Sequence, residues 1–197
     1  PVRASTSAPP RISDRARTPA QRVPPGPRTL RSTASSTRIG ARLAAARAGG
    51  EAVLCAGAGW GEGPRRQDLP DWHADKLARL TGRCRTISAI ENTHHPDYVT
   101  EKPFDAFAAG AVPLCIAGQG HRLHDLLPAG AWLDLTGLSP QAAAAKVLAF
   151  APGRAEAEAF RAAQAALAAL WSDGEIRAAE YARLADALVA ELTAAAS

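Results

Sequence analysis

The chain has 197 residues and not one methionine, and it begins at Pro1. We therefore read it as a fragment of a longer protein. Lysine is nearly absent too: Lys76, Lys102 and Lys146 are the only three, and arginine supplies the rest of the positive charge. Aromatic residues make up 5% of the chain, too few to interleave with its arginines as a nucleic-acid surface requires. The three cysteines, Cys55, Cys84 and Cys115, are odd in number and widely spaced, which excludes a disulfide framework. Each lies in or beside an apolar run, so buried free thiols in a reducing, cytoplasmic setting are expected. No stretch approaches the ~20 apolar residues of a membrane-spanning helix. No signal peptide is visible, although sequence ahead of Pro1 could carry one; a peripheral membrane contact stays open. Gly57-Ala58-Gly59-Trp60-Gly61 lacks dinucleotide-fingerprint spacing, and no phosphate-loop motif follows any strand. Serine or cysteine nucleophiles with paired bases are not evident.

What is present is unevenly distributed. Residues 1–38 hold eight Arg and one Asp, a charge of +7, which leaves −3 for the remainder of a chain whose net charge is +4. The segment 1–35 is rich in Pro, Ser and Arg and poor in large apolar residues. It cannot bury enough surface to offset its ordering entropy, so it is expected to be disordered, and residues 36–197 to form the folded domain. The acidic balance of that domain argues against a nucleic-acid partner.

From residue 36 onward, apolar runs and helical periodicities alternate. Ser36 or Thr37 is placed to cap a helix over 38–48, stopped by Gly49-Gly50. Strands are predicted at 52–55, 85–90, 111–116 and 131–135, with helices over 71–80 and 104–109 and a short turn or helix at 121–127. Trp72, Leu77 and Leu80 are candidate core contacts of the helix over 71–80. Ser139-Pro140 opens a helix to about residue 150. Two more follow, near 156–171 and from a cap at Asp173 to about 192. Their apolar positions, Phe160, Leu167, Leu170 and Trp171, then Ile176, Tyr181, Leu184, Leu188 and Leu192, show helical spacing, and the aromatics among them are read as core packing. The alternation predicts an α/β fold, a Rossmann-like parallel sheet with helices on both faces, followed by C-terminal helices.

The most informative run lies between two predicted strands. It gathers Glu91, Asn92, His94, His95, Asp97, Tyr98, Thr100, Glu101 and Lys102 into one loop, at the point where βαβ units hold ligands. Lys102 stands at a helix N-terminus, where the dipole disfavours a cation and unpaired amides favour an anion. A negative ligand such as a diphosphate would explain it; a solvated lysine would as well. Asn92 could bind a ligand or satisfy neighbouring backbone, and Tyr98 could stack on a base or sugar or simply cover the core. Glu91, His94, His95 and Asp97 invite a metal reading, but adjacent histidines point different ways. His121 and His124 share a helix face with only Asp125 nearby, so no metal is expected.

The block resembles the α1,3-fucosyltransferases, glycosyltransferase family 10, whose signature runs Phe-Glu-Asn-Ser, a polar stretch, Asp-Tyr-Val-Thr-Glu-Lys, an apolar helix and Ala-Gly-x-Val-Pro. The matching residues are Glu91-Asn92-Thr93, Asp97-Tyr98-Val99-Thr100-Glu101-Lys102 and Ala109-Gly110-Ala111-Val112-Pro113. Leu127-Pro128-Ala129-Gly130-Ala131-Trp132-Leu133-Asp134 is similar to a later family segment. The similarity is strong over roughly residues 73–150 and weaker over 36–72. Ala89-Ile90 replaces the usual aromatic, Ala117 stands where glycine is common, and Pro103 replaces an apolar residue.

The resemblance implies the C-terminal half of a glycosyltransferase-B fold that binds GDP-fucose for inverting transfer to a glycan acceptor hydroxyl. By the same resemblance Lys102 and Arg38 bind the diphosphate, and Asn92, Tyr98 and Glu101 contact the ribose or fucose. Glu91 and Thr100 are supporting residues. The catalytic base is expected in an N-terminal half outside this chain, and no metal or other cofactor is implied. A truncated remnant without activity, or a transferase for another sugar nucleotide, are the alternatives.

Overall fold

The computed structural model describes residues 38–42, 54 and 66–196. The disordered reading of 1–35 and the strand at 52–55 fall outside these, apart from Leu54, which has no regular structure and is exposed. Residues 38–42 are helical, the described part of the helix predicted over 38–48.

Beyond a 3-10 turn at Arg66–Asp68, helices and strands alternate: α1 (Trp72–Leu80), β1 (Thr86–Ser88), α2 (Glu101–Ala108), β2 (Val112–Cys115), α3 (Leu123–Leu126), β3 (Leu133–Asp134) and α4 (Pro140–Leu148). Two long helices follow, α5 (Arg154–Ser172) and α6 (Gly174–Ala196). The starts at Ser139 and Asp173 are capped as the sequence suggests, while Asp71, read as the first residue of its helix, instead caps it. Asp71 accepts the Ala74 amide at 2.9 Å, Ser139 accepts that of Ala142 at 3.2 Å, and Asp173 accepts those of Glu175 and Ile176. Each satisfies amides that have no partner inside the helix.

The three strands form one parallel sheet in the order β1-β2-β3, with Ile87 opposite Pro113 and Leu114 opposite Leu133. They are shorter than the predicted runs because only the residues paired across the sheet hold strand geometry. Pro113 sits in the central strand, yet its missing N–H costs no ladder bond there, because β3 pairs with β2 only from Leu114 onward.

Side-chain alternation along β2 divides the core into two layers. Cys115 and Ala117 face Phe107 of α2, Leu123 of α3, and Ala163 and Leu167 of α5. Leu114 and Ile116 face the opposite layer, with Ile39 of the 38–42 helix and Ala143 of α4. A third cluster joins Leu77 and Leu80 of α1 to Ala106 of α2 and to Ala109, the residue that ends it. Helices therefore cover both faces of a parallel sheet, the architecture predicted. Among the described residues no helix is long and apolar enough to cross a membrane.

The turn from α2 into β2 fixes the site's geometry. Gly110 adopts φ +76°, Ala111 donates to the Ala106 carbonyl at 2.9 Å, and Gly110 donates to that of Phe107 at 3.1 Å. This Schellman closure ends α2 in one residue and turns the chain straight into the central strand.

The core reading of the last two helices holds only in part. Leu167 is buried and Phe160 packs on Phe107 with ring centroids 5.0 Å apart. Trp171, Tyr181, Leu184, Leu188 and Leu192 are exposed, and α6 buries no residue. α6 lies against α5 and is also tied to the body by the Arg122–Glu180 ion pair. Helical spacing reports that a helix forms; it does not report that something lies opposite each apolar position.

Two substitutions separate these roles in urea denaturation. Leu167 is 8% exposed, and Leu167→Ala should cost about 2–5 kcal/mol. Leu188 is 55% exposed, and Leu188→Ala should stay within about 0.5 kcal/mol. The reverse ranking would contradict the packing described. Gly110→Ala should cost about 1–2 kcal/mol through backbone strain alone, since no atom lies within 4 Å of where its Cβ would stand.

Candidate functional site

The carboxyl edge of the sheet gathers three loops. The chain leaves β1 through Ala89 and Ile90, both buried, and reaches Glu91, which is only 5% exposed. A carboxylate that far from water requires partners. Thr100 donates to it from its amide at 2.7 Å and from its hydroxyl at 2.7 and 2.8 Å. Lys102 donates to Oε2 at 2.5 Å and makes a longer contact, 3.3 Å, with the Thr100 hydroxyl. The two ends of the 91–102 segment are thus locked together by one buried carboxylate.

This network changes the reading of the α2 N-terminus. Thr100 occupies the N-cap position but makes no side-chain cap bond; its hydroxyl goes to Glu91 instead. Pro103 offers no amide, and the Glu101 carboxylate takes its own. The N-terminus is therefore poorer in free amides than its sequence position suggests. The cation placed against the dipole is explained first by Glu91, its neutralising partner. Burial raises the Glu101 carboxyl, but its own backbone amide, Lys102, the Thr100 hydroxyl and Lys76 together hold it below the ordinary range.

The remaining predicted residues divide into two groups. Asn92 and Tyr98 project from the loop, both exposed, and neither side chain hydrogen-bonds to another described residue. The loop itself is held by the Asp97 amide on His95 Nδ1 at 3.2 Å and by the Arg122 amide on the Pro96 carbonyl at 2.7 Å. Arg38 lies elsewhere, on the α4 side of the sheet. There it and His94 border a cavity of about 230 Å³ whose apolar lining includes Ile39, Ile116, Leu135 and Pro140. The helix that carries Arg38 packs Ile39 in the α4 layer, whereas α2, which carries Lys102, packs Phe107 in the other layer. His94, read from sequence only as a metal candidate, is brought to Arg38.

Two residues at this edge were not singled out in sequence as part of the site. Asp134 accepts the Thr136 amide at 2.9 Å and hydroxyl at 2.6 Å, and the Ala117 amide at 3.4 Å, stitching the exits of β2 and β3 together. An Asp at a strand end with Thr two residues on is a legible turn signal. His121 was noticed only for its helical spacing to His124; it is buried and accepts the Leu123 amide at 3.2 Å. Burial and His124 lower its tendency to protonate, against the opposing pull of Glu91, Asp97 and Asp134. Its neutral form suits an acceptor nitrogen. Burial pushes the Cys115 thiol far up, with Glu91 and Asp134 adding to the effect, so it stays protonated and unreactive. Among the described residues no group of three or more His, Cys, Asp or Glu side chains is arranged to hold a metal ion.

Comparison with known proteins identifies the block. Residues 59–157 match the family described as glycosyltransferase family 10 (fucosyltransferase), C-terminal part. Bovine 4-galactosyl-N-acetylglucosaminide 3-alpha-L-fucosyltransferase 9 is 31% identical over 83 residues, 42% of this chain and 23% of that protein. The human protein of the same name is 31% identical over 65 residues, 33% of this chain and 18% of that protein. Bovine alpha-(1,3)-fucosyltransferase 4 is 34% identical over 77 residues, 39% of this chain and 19% of that protein. The matches thus span less than a quarter of the length of these relatives. No solved structure matches the chain significantly. With the family match covering half of its residues and containing the Glu91–Lys102 loop, the chain belongs to glycosyltransferase family 10, the fucosyltransferases, and carries that family's C-terminal region.

Proposed function

We propose that this chain is the donor-binding part of an inverting α1,3-fucosyltransferase, holding GDP-fucose while an acceptor glycan hydroxyl displaces GDP. The observation that carries the reading is Lys102, fixed by Glu91 and Thr100 at the N-terminus of α2 on the carboxyl edge of a parallel sheet. That edge is where open α/β sheets bind nucleotides. Arg38, across the strand ends and beside an apolar cavity, would supply a second cation. An elongated nucleotide lying over the edge could reach both. Asn92 and Tyr98, exposed and without side-chain hydrogen bonds to other described residues, would face its ribose or fucose, and Glu101 would accept a sugar hydroxyl.

Departure of GDP builds negative charge on the diphosphate, and fixed cations stabilise that charge without having to reorganise. No metal is assigned a part. A general base must take the acceptor's proton; none of the residues in this site is assigned that role, because Glu91 is consumed by Thr100 and Lys102.

Calorimetry with GDP tests the reading. Charge-assisted hydrogen bonds contribute about 1.5–3 kcal/mol, so Lys102→Ala should weaken GDP binding roughly 10- to 100-fold. Asp173→Ala, which removes the α6 cap, should leave GDP affinity unchanged. Equal losses in both variants, or no heat at millimolar GDP, would remove the donor site. Tighter binding of UDP than of GDP would assign the domain to a different sugar nucleotide.

A further inference from the structure

We infer that Glu91 is a positioning residue for the donor site, acting through Lys102 rather than by touching the ligand. The inference rests on the reading that Lys102 contacts the donor diphosphate. Glu91 is buried and held by two donors from Thr100, its amide and its hydroxyl, which hold the carboxylate independently of Lys102. Lys102 is a flexible side chain at the end of a helix that repels it. An ammonium has three N–H donors. Here one goes to Glu91 Oε2 at 2.5 Å and a second lies 3.3 Å from the Thr100 hydroxyl. The third remains for a ligand, its direction set by the other two. A lysine held this way gives up little conformational freedom when an anion arrives.

The same contact could work in the other direction. A carboxylate 2.5 Å from the ammonium competes with a diphosphate for it. Geometry favours positioning, because the Thr100 amide and hydroxyl fix the Glu91 carboxylate independently of Lys102, and the contacts to Glu91 and Thr100 leave one Lys102 donor unused. Glu91→Gln separates the two roles. A glutamine oxygen can still accept from Thr100, while its amide nitrogen, a donor, faces Lys102 and turns it away.

The test is a double-mutant cycle on GDP affinity with wild type, Glu91→Gln, Lys102→Ala and the double variant, each checked by thermal melting. Glu91→Gln should weaken GDP roughly tenfold when Lys102 is present, as for groups in one ion-pair network, and should change nothing in the Lys102→Ala background. The same loss in both backgrounds would make Glu91 merely structural, and tighter GDP binding by Glu91→Gln would make it a competitor; either overturns the inference. If Glu91→Gln does not fold, Glu91→Asp, which keeps the charge but shortens its reach, must show the same dependence on Lys102 or the inference falls. Lys102→Ala binding GDP as tightly as wild type would instead sink the donor reading itself. With only three lysines, ¹⁵N-lysine labelling makes the ammonium signals assignable. GDP should shift the Lys102 signal in wild type, and an unshifted signal at saturation would exclude the route through Lys102.

Discussion

The constraint on which the site depends is the cost of burying the Glu91 carboxylate. A charge withdrawn from water must be met by donors, and the chain meets this one by folding residues 100 and 102 back onto residue 91. That closure does more than satisfy an acid. It fixes where α2 begins, gives Lys102 a partner at a helix end that would otherwise repel it, and makes the intervening residues 92–99 a loop with pinned ends. Asn92 and Tyr98 are presented from that loop. On the proposed donor reading, the bonds that satisfy Glu91 also hold the ligand-facing loop.

The sheet supplies the platform. Three parallel strands end together, and the alternation of Leu114, Cys115, Ile116 and Ala117 places α2, α3 and α5 on one face and α4 with the 38–42 helix on the other. The helices that carry Lys102 and Arg38 therefore lie in opposite layers. The Schellman turn at Gly110 keeps the lysine-bearing helix in register with the central strand.

Much of this was legible in the sequence, for reasons that are local. Caps at Ser139 and Asp173, the glycine stop after α2 and the alternation of apolar runs act within a few residues, so reading along the chain finds them. The loop's importance was legible because its polar residues crowd into one interval. What sequence could not supply were partners separated in space. The Lys102 argument from the helix dipole was sound as far as it went, but it could not see Glu91 filling the role of counter-ion, nor Glu101 taking its own amide. His94 gave no sign of standing beside Arg38, since that depends on how a loop crosses a sheet edge. The apolar stripe of α6 has the same periodicity whether covered or bare, which is why Tyr181, read as core, proves exposed along with Leu184 and Leu188. Family resemblance reached the domain's identity through motif spacing, whereas the physical reason for the motif's Glu lies in burial.

A crystal structure of the chain with GDP bound tests the account most directly. The account predicts the diphosphate within hydrogen-bond distance of Lys102 Nζ, with the Lys102–Glu91 bond intact and the nucleotide extending toward Arg38. A diphosphate bound away from Lys102, or one that displaces Glu91 from the ammonium, would contradict it.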